Sequence, residues 1–319
     1  YDEKGKERAA LPYIDFLQPK PAPQIDDKNL TQGMLKSIQP ESLYSQEISF
    51  LEGVVQNYKL SVSHINKFLD LEYGGPLSVL ESVLLRFPSI ATPAMTYGNI
   101  LHKVLNYISI QMQSSKEFPD LDDLVNFAIK SLYQEKLSVE DTDLVLNKIK
   151  DNLPQLIQAK QDEFFIPHQS EYNLGQLFLE FEGVPLTGVI DRVEEHSTHY
   201  TVVDFKTGTP ILSWDNKVKA NKLESFKRQL YFYAFLLKVA GQYQDKSIKG
   251  RIDFLEPTIE GEFISLDLVI TDKDIDYIAN LVQIIYHKIL SLDFPDISIY
   301  KQNSQDTNDF IQDLLDNKI

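Results

Sequence analysis

Asp191, Asp204 and Lys206 fall within the stretch LTGVIDRVEEHSTHYTVVDFKTGTP. Two carboxylates and an amine are a set able to hold a divalent cation and hydrolyse a phosphodiester. The cation polarises a phosphoryl oxygen and lowers the pKa of a bound water, while the amine orients that water or offsets transition-state charge. Residues 199–206, HYTVVDFK, are β-branched and aromatic and read as a strand. Side chains two apart in a strand share a face, so Asp204 and Lys206 point one way while Val203 and Phe205 point into the opposite layer. Residues 186–194 form a second β-rich run, and the polar link 195–198 is short enough for a hairpin that brings Asp191 beside Asp204. Upstream, QLFLEFE at 176–182 alternates and is followed by a Gly183-Val184-Pro185 turn. The expected local structure is therefore a three-stranded meander with the charged cluster at its centre.

A carboxylate on a buried strand needs a partner, because leaving it unpaired is costly. A metal is one partner; an internal Asp–Lys pair with Asp191 capping a turn is the other, and the Asp-x-Lys spacing alone does not separate them. On an expected helix over 97–113, Leu101, Leu105, Ile108 and Met112 form an apolar stripe with His102 beside it. A histidine in that place is either packed or turned toward a site, and Gly98, one turn earlier on the same face, leaves room for a close neighbour. Gln229 and Tyr233 stand at i and i+4 in the helical run 225–239 and share a face. Glu171 and Glu180 are further carboxylates that spacing does not promote.

Gly188-x-x-Asp191-Arg192, Asp204-Phe205-Lys206-Thr207-Gly208 and Gln229-Leu230-x-x-Tyr233, in that order, resemble the RecB-like branch of the PD-(D/E)XK nuclease superfamily. Residues 60–69, LSVSHINKFL, resemble the segment that opens this domain in bacterial helicase-nucleases, and Tyr97-Gly98-x-x-x-His102 is similar to the family's helical histidine motif. The five segments cover residues 60 to 240. The resemblance implies an α/β fold: a central mixed β-sheet flanked by helices, the restriction-endonuclease-like core, with a largely α-helical N-terminal half. It implies Asp191 and Asp204 as metal ligands, the Phe205 carbonyl as a third and His102 as an additional one. It further implies Lys206 near the attacking water, with Gln229 and Tyr233 positioning the substrate or the site. The implied cofactor is Mg²⁺ or Mn²⁺, in keeping with the preference of Mg²⁺ for oxygen ligands.

The implied activity is that of a deoxyribonuclease, exonuclease ahead of endonuclease, with single-stranded DNA the favoured substrate. The implied setting is the C-terminal nuclease domain of a UvrD-like, superfamily 1 helicase-nuclease in DNA repair or recombination, in the bacterial cytoplasm, with a helicase motor as partner. No GxxxxGK[ST] phosphate loop is present, so this chain carries no recognisable motor. Several relatives in this branch hold an iron-sulfur cluster on four cysteines. This chain has no cysteine and reads DLEYGGP at 70–76, so no such cluster is expected. Two other readings stay open: a member that guides single-stranded DNA without cutting, and a protein-interaction module with a vestigial site.

With 319 residues and 43% hydrophobic content the chain can bury a substantial core. It contains no apolar run near the ~20 residues of a membrane span, and a soluble intracellular protein is expected. The start, YDEKGKERAA, lacks both Met and an apolar segment and reads as a piece of a longer chain. A net charge of −16 argues against a protein that coats DNA nonspecifically, since cationic contacts to phosphate supply most of that affinity. One stretch runs the other way. Lys206, Lys217, Lys219, Lys222, Lys227 and Arg228 face only Asp215 and Glu224, a local charge of +4. It reads as a phosphate-tracking loop with Trp214 as a base-stacking platform, or else as a solvated loop.

The expected organisation is a linker or arm with a helix over 1–59, rich in proline at its start, followed by the nuclease domain over 60–319. Within that domain the helical part spans 60–165, the catalytic core 166–270 and the C-terminal helices 271–319.

Overall fold

The computed structural model describes residues 51–319 apart from 89 and 302. Most of the expected arm therefore lies outside the described residues; of its helix, 51–55 is described and is helical. The first long elements are helices whose ends are set by local hydrogen bonds. Ser61 accepts from His64 N–H to start α1 (Val62–Phe68), which is followed by the short α2 (Gly75–Val79). Thr92 accepts from Met95 N–H, with Pro93 at the first helical position, to start α3 (Pro93–Ser115). Helix α4 (Leu121–Leu132) follows, and Ser138 caps α5 (Val139–Lys160), whose first turn carries Glu140 and Asp141.

The chain then turns to β-structure: β1 (His168–Asn173), β2 (Glu180–Phe181), β3 (Val184–Pro185), β4 (Val189–Glu195) and β5 (His199–Lys206). Helix α6 (Ala220–Ala240) ends at Gly241, whose φ of 71° suits glycine. Strands β6 (Ser247–Phe254) and β7 (Ser265–Val269) and helices α7 (Asp272–Leu290) and α8 (Ser304–Leu315) complete the described chain. Residues Val54–Ile319 form one compact unit.

Among the described residues the main sheet has five strands in the order β1-β4-β5-β6-β7. All its pairs are antiparallel except β5–β6, so the sheet is mixed, as expected. Tyr200 through Phe205 on β5 are all buried, because both faces are covered. On one face Val203, Phe205 and Leu255 join a core with Ile100, Leu101, Val104, Ile149 and Leu153 from α3 and α5. On the other face α6 lies so close that a Cβ placed on Gly250 of β6 would be 2.8 Å from Leu230 Cδ1. Asp204 and Lys206 turn to this second face.

Residues 176–182 do not form the expected long strand. Asn173 Oδ1 accepts from Gly175 N–H at 3.0 Å, a short helical turn runs over Leu174–Leu177, and Phe178 is left-handed with φ 50°. Only Glu180–Phe181 is extended, and it pairs with Val184–Pro185 in a separate hairpin. The side-chain hydrogen bond of Asn173 favours a turn over the alternation of apolar residues. The strand beside β4 is β1, earlier in the chain.

Arg192, next to Asp191, faces the helical layer. Its Nε lies 3.2 Å from Glu194 Oε1 and its guanidinium stacks over the Phe164 ring at 4.9 Å. Arg251, Asp253, Glu163 and Lys160 complete a charge-balanced internal network there. No helix among the described residues is long and apolar enough to cross a membrane.

Candidate active site

The β4–β5 ladder ends at Arg192–Val203, and one step further Asp191 and Asp204 would face each other. Here the strands part, and Asp191 Oδ2 accepts from Phe205 N–H at 2.7 Å in place of a ladder bond. On the other side of β4, the pairs Ser170–Arg192 and Tyr172–Ile190 bracket Glu171 and set it opposite Asp191. Glu171 has φ 48°, a left-handed conformation that costs a non-glycine residue energy and collects at functional sites. From α3, His102 Nδ1 reaches 3.4 Å from Asp191 Oδ1 and 3.8 Å from Glu171 Oε1. The imidazole stands edge-on to the Phe205 ring, 5.8 Å between centroids at 81°. Burial opposes protonation of His102, but the Asp191 and Glu171 carboxylates beside it outweigh it and push the pKa up to about 10.

Beside this cluster lies a closed ring of side chains. Lys206 Nζ lies 2.7 Å from Asp204 Oδ2 and donates to Gln229 Oε1 at 2.8 Å. Gln229 Nε2 donates to the Tyr233 hydroxyl at 2.8 Å, and that hydroxyl donates to Asp204 Oδ1 at 3.3 Å. The i, i+4 spacing on α6 brings Gln229 and Tyr233 to bear on the two charges of β5. Lys206 approaches Asp204 Oδ2 off the hydrogen-bonding direction, so this buried oxygen has a charge partner but no aligned donor. Burial pushes the Asp204 pKa up to about 6 against the pull of Lys206, and the Asp191 charge adds to the rise. Burial, then Asp204 and Asp191, hold the Tyr233 hydroxyl protonated well beyond its usual range.

One ligand atom each from His102, Glu171 and Asp191 lies within 4.8 Å of the others. The donor set of two carboxylates and an imidazole, with the unsatisfied Asp204 oxygen next to it, fits a divalent cation. Asp204 itself is not part of that three-residue group; it turns to Lys206 and Tyr233. The N–H and C=O of a strand residue point to the same edge, so the Phe205 carbonyl, like its N–H, opens toward Asp191. The Lys206 carbonyl points the other way and accepts from Leu255 N–H at 2.8 Å. Spacing did not single out Glu171, because its place is set by the register of β1 against β4. Glu180 sits exposed on the β2–β3 hairpin.

The proposed nucleic-acid contacts divide. Lys217, Lys219 and Lys222 are exposed, and partial burial followed by the charges of Lys219 and Lys206 lowers the Lys222 pKa, which places it in the field of the site lysine. Lys227 pairs with Glu224 at 2.7 Å and lies 5.8 Å from the centre of the Trp214 ring. Trp214 is half-buried, and its Nε1 donates to the Asp267 carbonyl at 2.7 Å. Arg228 is not a surface cation. It is 5% exposed, and its Nε donates to Asn66 Oδ1 at 3.0 Å, which ties α6 to α1. Successive helical residues lie about 100° apart, so with Gln229 on the sheet side Arg228 turns into the neighbouring helix.

A mixed α/β sheet thus gathers carboxylates, an imidazole and an ammonium where β4 and β5 part. Residues 59–301 match the model of the PD-(D/E)XK nuclease superfamily, and the chain belongs to that superfamily. Its members use divalent metals. Among solved structures, a protein from Eubacterium rectale named "Putative exonuclease" is similar over 81% of this chain and 88% of its own, with 12% identity and a TM-score of 0.46. The structure of SSO0001 is similar over 61% of this chain and 87% of its own, with 15% identity and a TM-score of 0.27. Likenesses of this strength carry no functional argument. A comparison with curated protein sequences finds no match.

Proposed function

We propose that this chain is a metal-dependent deoxyribonuclease of the RecB-like branch, with the nuclease domain spanning 60–319. The observation that carries the reading is the His102–Glu171–Asp191 cluster set directly beside the Lys206–Gln229–Tyr233–Asp204 ring. His102, Glu171 and Asp191, with Asp204 and the Phe205 carbonyl, would hold Mg²⁺ or Mn²⁺. When bound, the ion polarises a phosphoryl oxygen and lowers the pKa of a coordinated water. Gln229 and Asp204 flank the Lys206 ammonium, of whose three N–H groups only one is taken, by Gln229, which leaves the others to orient a water or a phosphate oxygen. Tyr233 holds both Gln229 and Asp204 and so fixes the ring as a unit. Lys217, Lys219 and Lys222 form a local positive surface on an acidic molecule, which steers the DNA backbone to this face.

The motif order supports a nuclease domain of a bacterial helicase-nuclease in repair or recombination, acting in the cytoplasm as an exonuclease on single strands, with a helicase motor as partner. The test is cleavage of end-labelled single- and double-stranded DNA with Mg²⁺ or Mn²⁺, with EDTA, Asp204→Ala and Lys206→Ala as controls. Cutting that needs metal and is lost in both variants supports the reading, and the product ladder assigns polarity. DNA binding without cutting, unchanged by either substitution, would replace it with a strand-guiding module.

A further inference from the structure

We propose that Glu256 is a positioning residue for Lys206, tying the turn that follows Lys206, through α5, to the helix that carries His102. This role presupposes the nuclease reading. Strand β5 ends at Lys206, and the chain leaves the sheet through Thr207 and Gly208, whose φ of 99° is left-handed. Glu256 follows β6 by two residues. Its Oε1 accepts from Gly208 N–H at 2.5 Å, and its Oε2 lies 2.7 Å from Lys148 Nζ on α5. The same ammonium lies 4.4 Å from the centre of the Tyr97 ring on α3, and the Tyr97 hydroxyl accepts from Asn152 Nδ2 at 3.3 Å. A Cβ on Gly98 would lie 3.0 Å from Thr207 Oγ1, so α3 rests directly on this turn.

His102 is one helical turn beyond Gly98. A continuous chain of neighbours therefore runs from Lys206 through Gly208, Glu256, Lys148 and Tyr97 to the helix of His102. Glu256 is 14% exposed, and both of its oxygens make charge-assisted contacts, which are stronger than neutral ones and less screened than surface pairs. The arrangement gives Tyr97, Gly98, Thr207 and Gly208 a role, although none of them lies in the ligand cluster or in the Lys206 ring. They hold the ammonium and the imidazole in one frame. Since a misplacement of about 1 Å costs about 10²-fold in rate, releasing the turn is expected to reduce turnover more than affinity.

The experiment compares the full chain with Glu256→Ala, Glu256→Gln and Lys148→Met in metal-dependent DNA cleavage, each checked for native folding by circular dichroism. Glu256→Ala is expected to lower kcat by about tenfold or more with KM within about twofold. Glu256→Gln still accepts from Gly208 N–H and is expected to retain most of the rate. Lys148→Met is expected to fall between them. In ε-¹³C-lysine NMR of the metal-free protein, the Lys206 resonance, assigned by its loss in Lys206→Met, should move in Glu256→Ala and stay in place in the control Glu260→Ala, at an exposed carboxylate in the link between β6 and β7. A wild-type kcat in Glu256→Ala, or an unmoved Lys206 resonance, overturns the positioning role. Failure of the wild-type chain to cut overturns the nuclease reading instead, and the resonance alone then decides whether Glu256 sets Lys206.

Discussion

Replacing Gly250 with alanine tests how tightly α6 holds its side chains over β5. The added Cβ would lie 2.8 Å from Leu230 Cδ1, 3.0 Å from its Cβ and 3.2 Å from its Cγ. The clash reaches the root of the side chain, so a swing of the Leu230 tip cannot relieve it, and Leu230 is fully buried. Reaching an ordinary separation of 3.4 Å from 2.8 Å needs about 0.6 Å of movement of helix or sheet. Leu230 adjoins Gln229, and the same displacement would stretch the 3.3 Å Tyr233–Asp204 bond out of hydrogen-bonding range. Overpacking costs about 1–3 kcal/mol, and removing glycine from a strand returns about 0.5–1 kcal/mol. A net loss of up to about 2.5 kcal/mol corresponds to a Tm lower by up to about 5 °C for a domain of about 260 residues. The cleavage rate at 25 °C should fall about tenfold as the ring around Lys206 opens. Melting followed by circular dichroism and single-turnover cleavage measure the two effects. Leu230→Ala removes Cγ and Cδ1 and leaves only the 3.0 Å approach of Cβ, so the double variant should be less destabilised than the sum of the single ones. An unchanged Tm and rate in Gly250→Ala, or strict additivity in the double variant, would refute the coupling of this helix–strand packing to the site.

Arg228→Ala empties a buried place and leaves the half-buried Asn66 Oδ1 without its donor, and should cost about 1–3 kcal/mol, with no change in the salt dependence of DNA binding. The Lys217→Ala, Lys219→Ala double variant should keep the wild-type Tm yet weaken DNA binding and flatten its salt dependence by about one unit of slope for each phosphate no longer neutralised. Thermal melting and fluorescence anisotropy against salt check both; a flattened slope in Arg228→Ala at unchanged Tm would return Arg228 to the DNA surface. For pH, the folded His102 value of about 10 stands above the ordinary histidine value of 6.5. Its stabilisation is therefore fully present below about pH 6.5 and is lost as the pH rises through about 10. In EDTA, the Tm deficit of His102→Gln against wild type should be largest near pH 6 and shrink toward pH 10, and a constant deficit would sink this account.

Local rules carried far in this chain. The period of two in HYTVVDFK placed Asp204 and Lys206 on one face and Val203 and Phe205 on the other, and β5 spans the residues read as that strand. The i, i+4 spacing put Gln229 and Tyr233 on one face of α6, and the structure joins them by a hydrogen bond. The same kind of rule misled at 176–182, where apolar alternation was outweighed by the Asn173 turn.

Whatever depends on neighbours of adjacent residues on one element was legible in the amino-acid sequence: the pairing of the two strand charges, the shared face of Gln229 and Tyr233 on α6, and the short link that joins β4 to β5. What sits across from what was not, because register and helix docking come from contacts between segments far apart in the chain. Glu171 joins His102 and Asp191 only through the alignment of β1 with β4. Arg228 leaves the basic stretch because Asn66, 162 residues away in sequence, lies against α6 and accepts its hydrogen bond. Glu256 meets Gly208 because β6 runs parallel to β5 and ends beside it. A charge count along the chain cannot tell which cations are bonded inside, since burial is a property of the packed layers and not of the residue's neighbours in sequence.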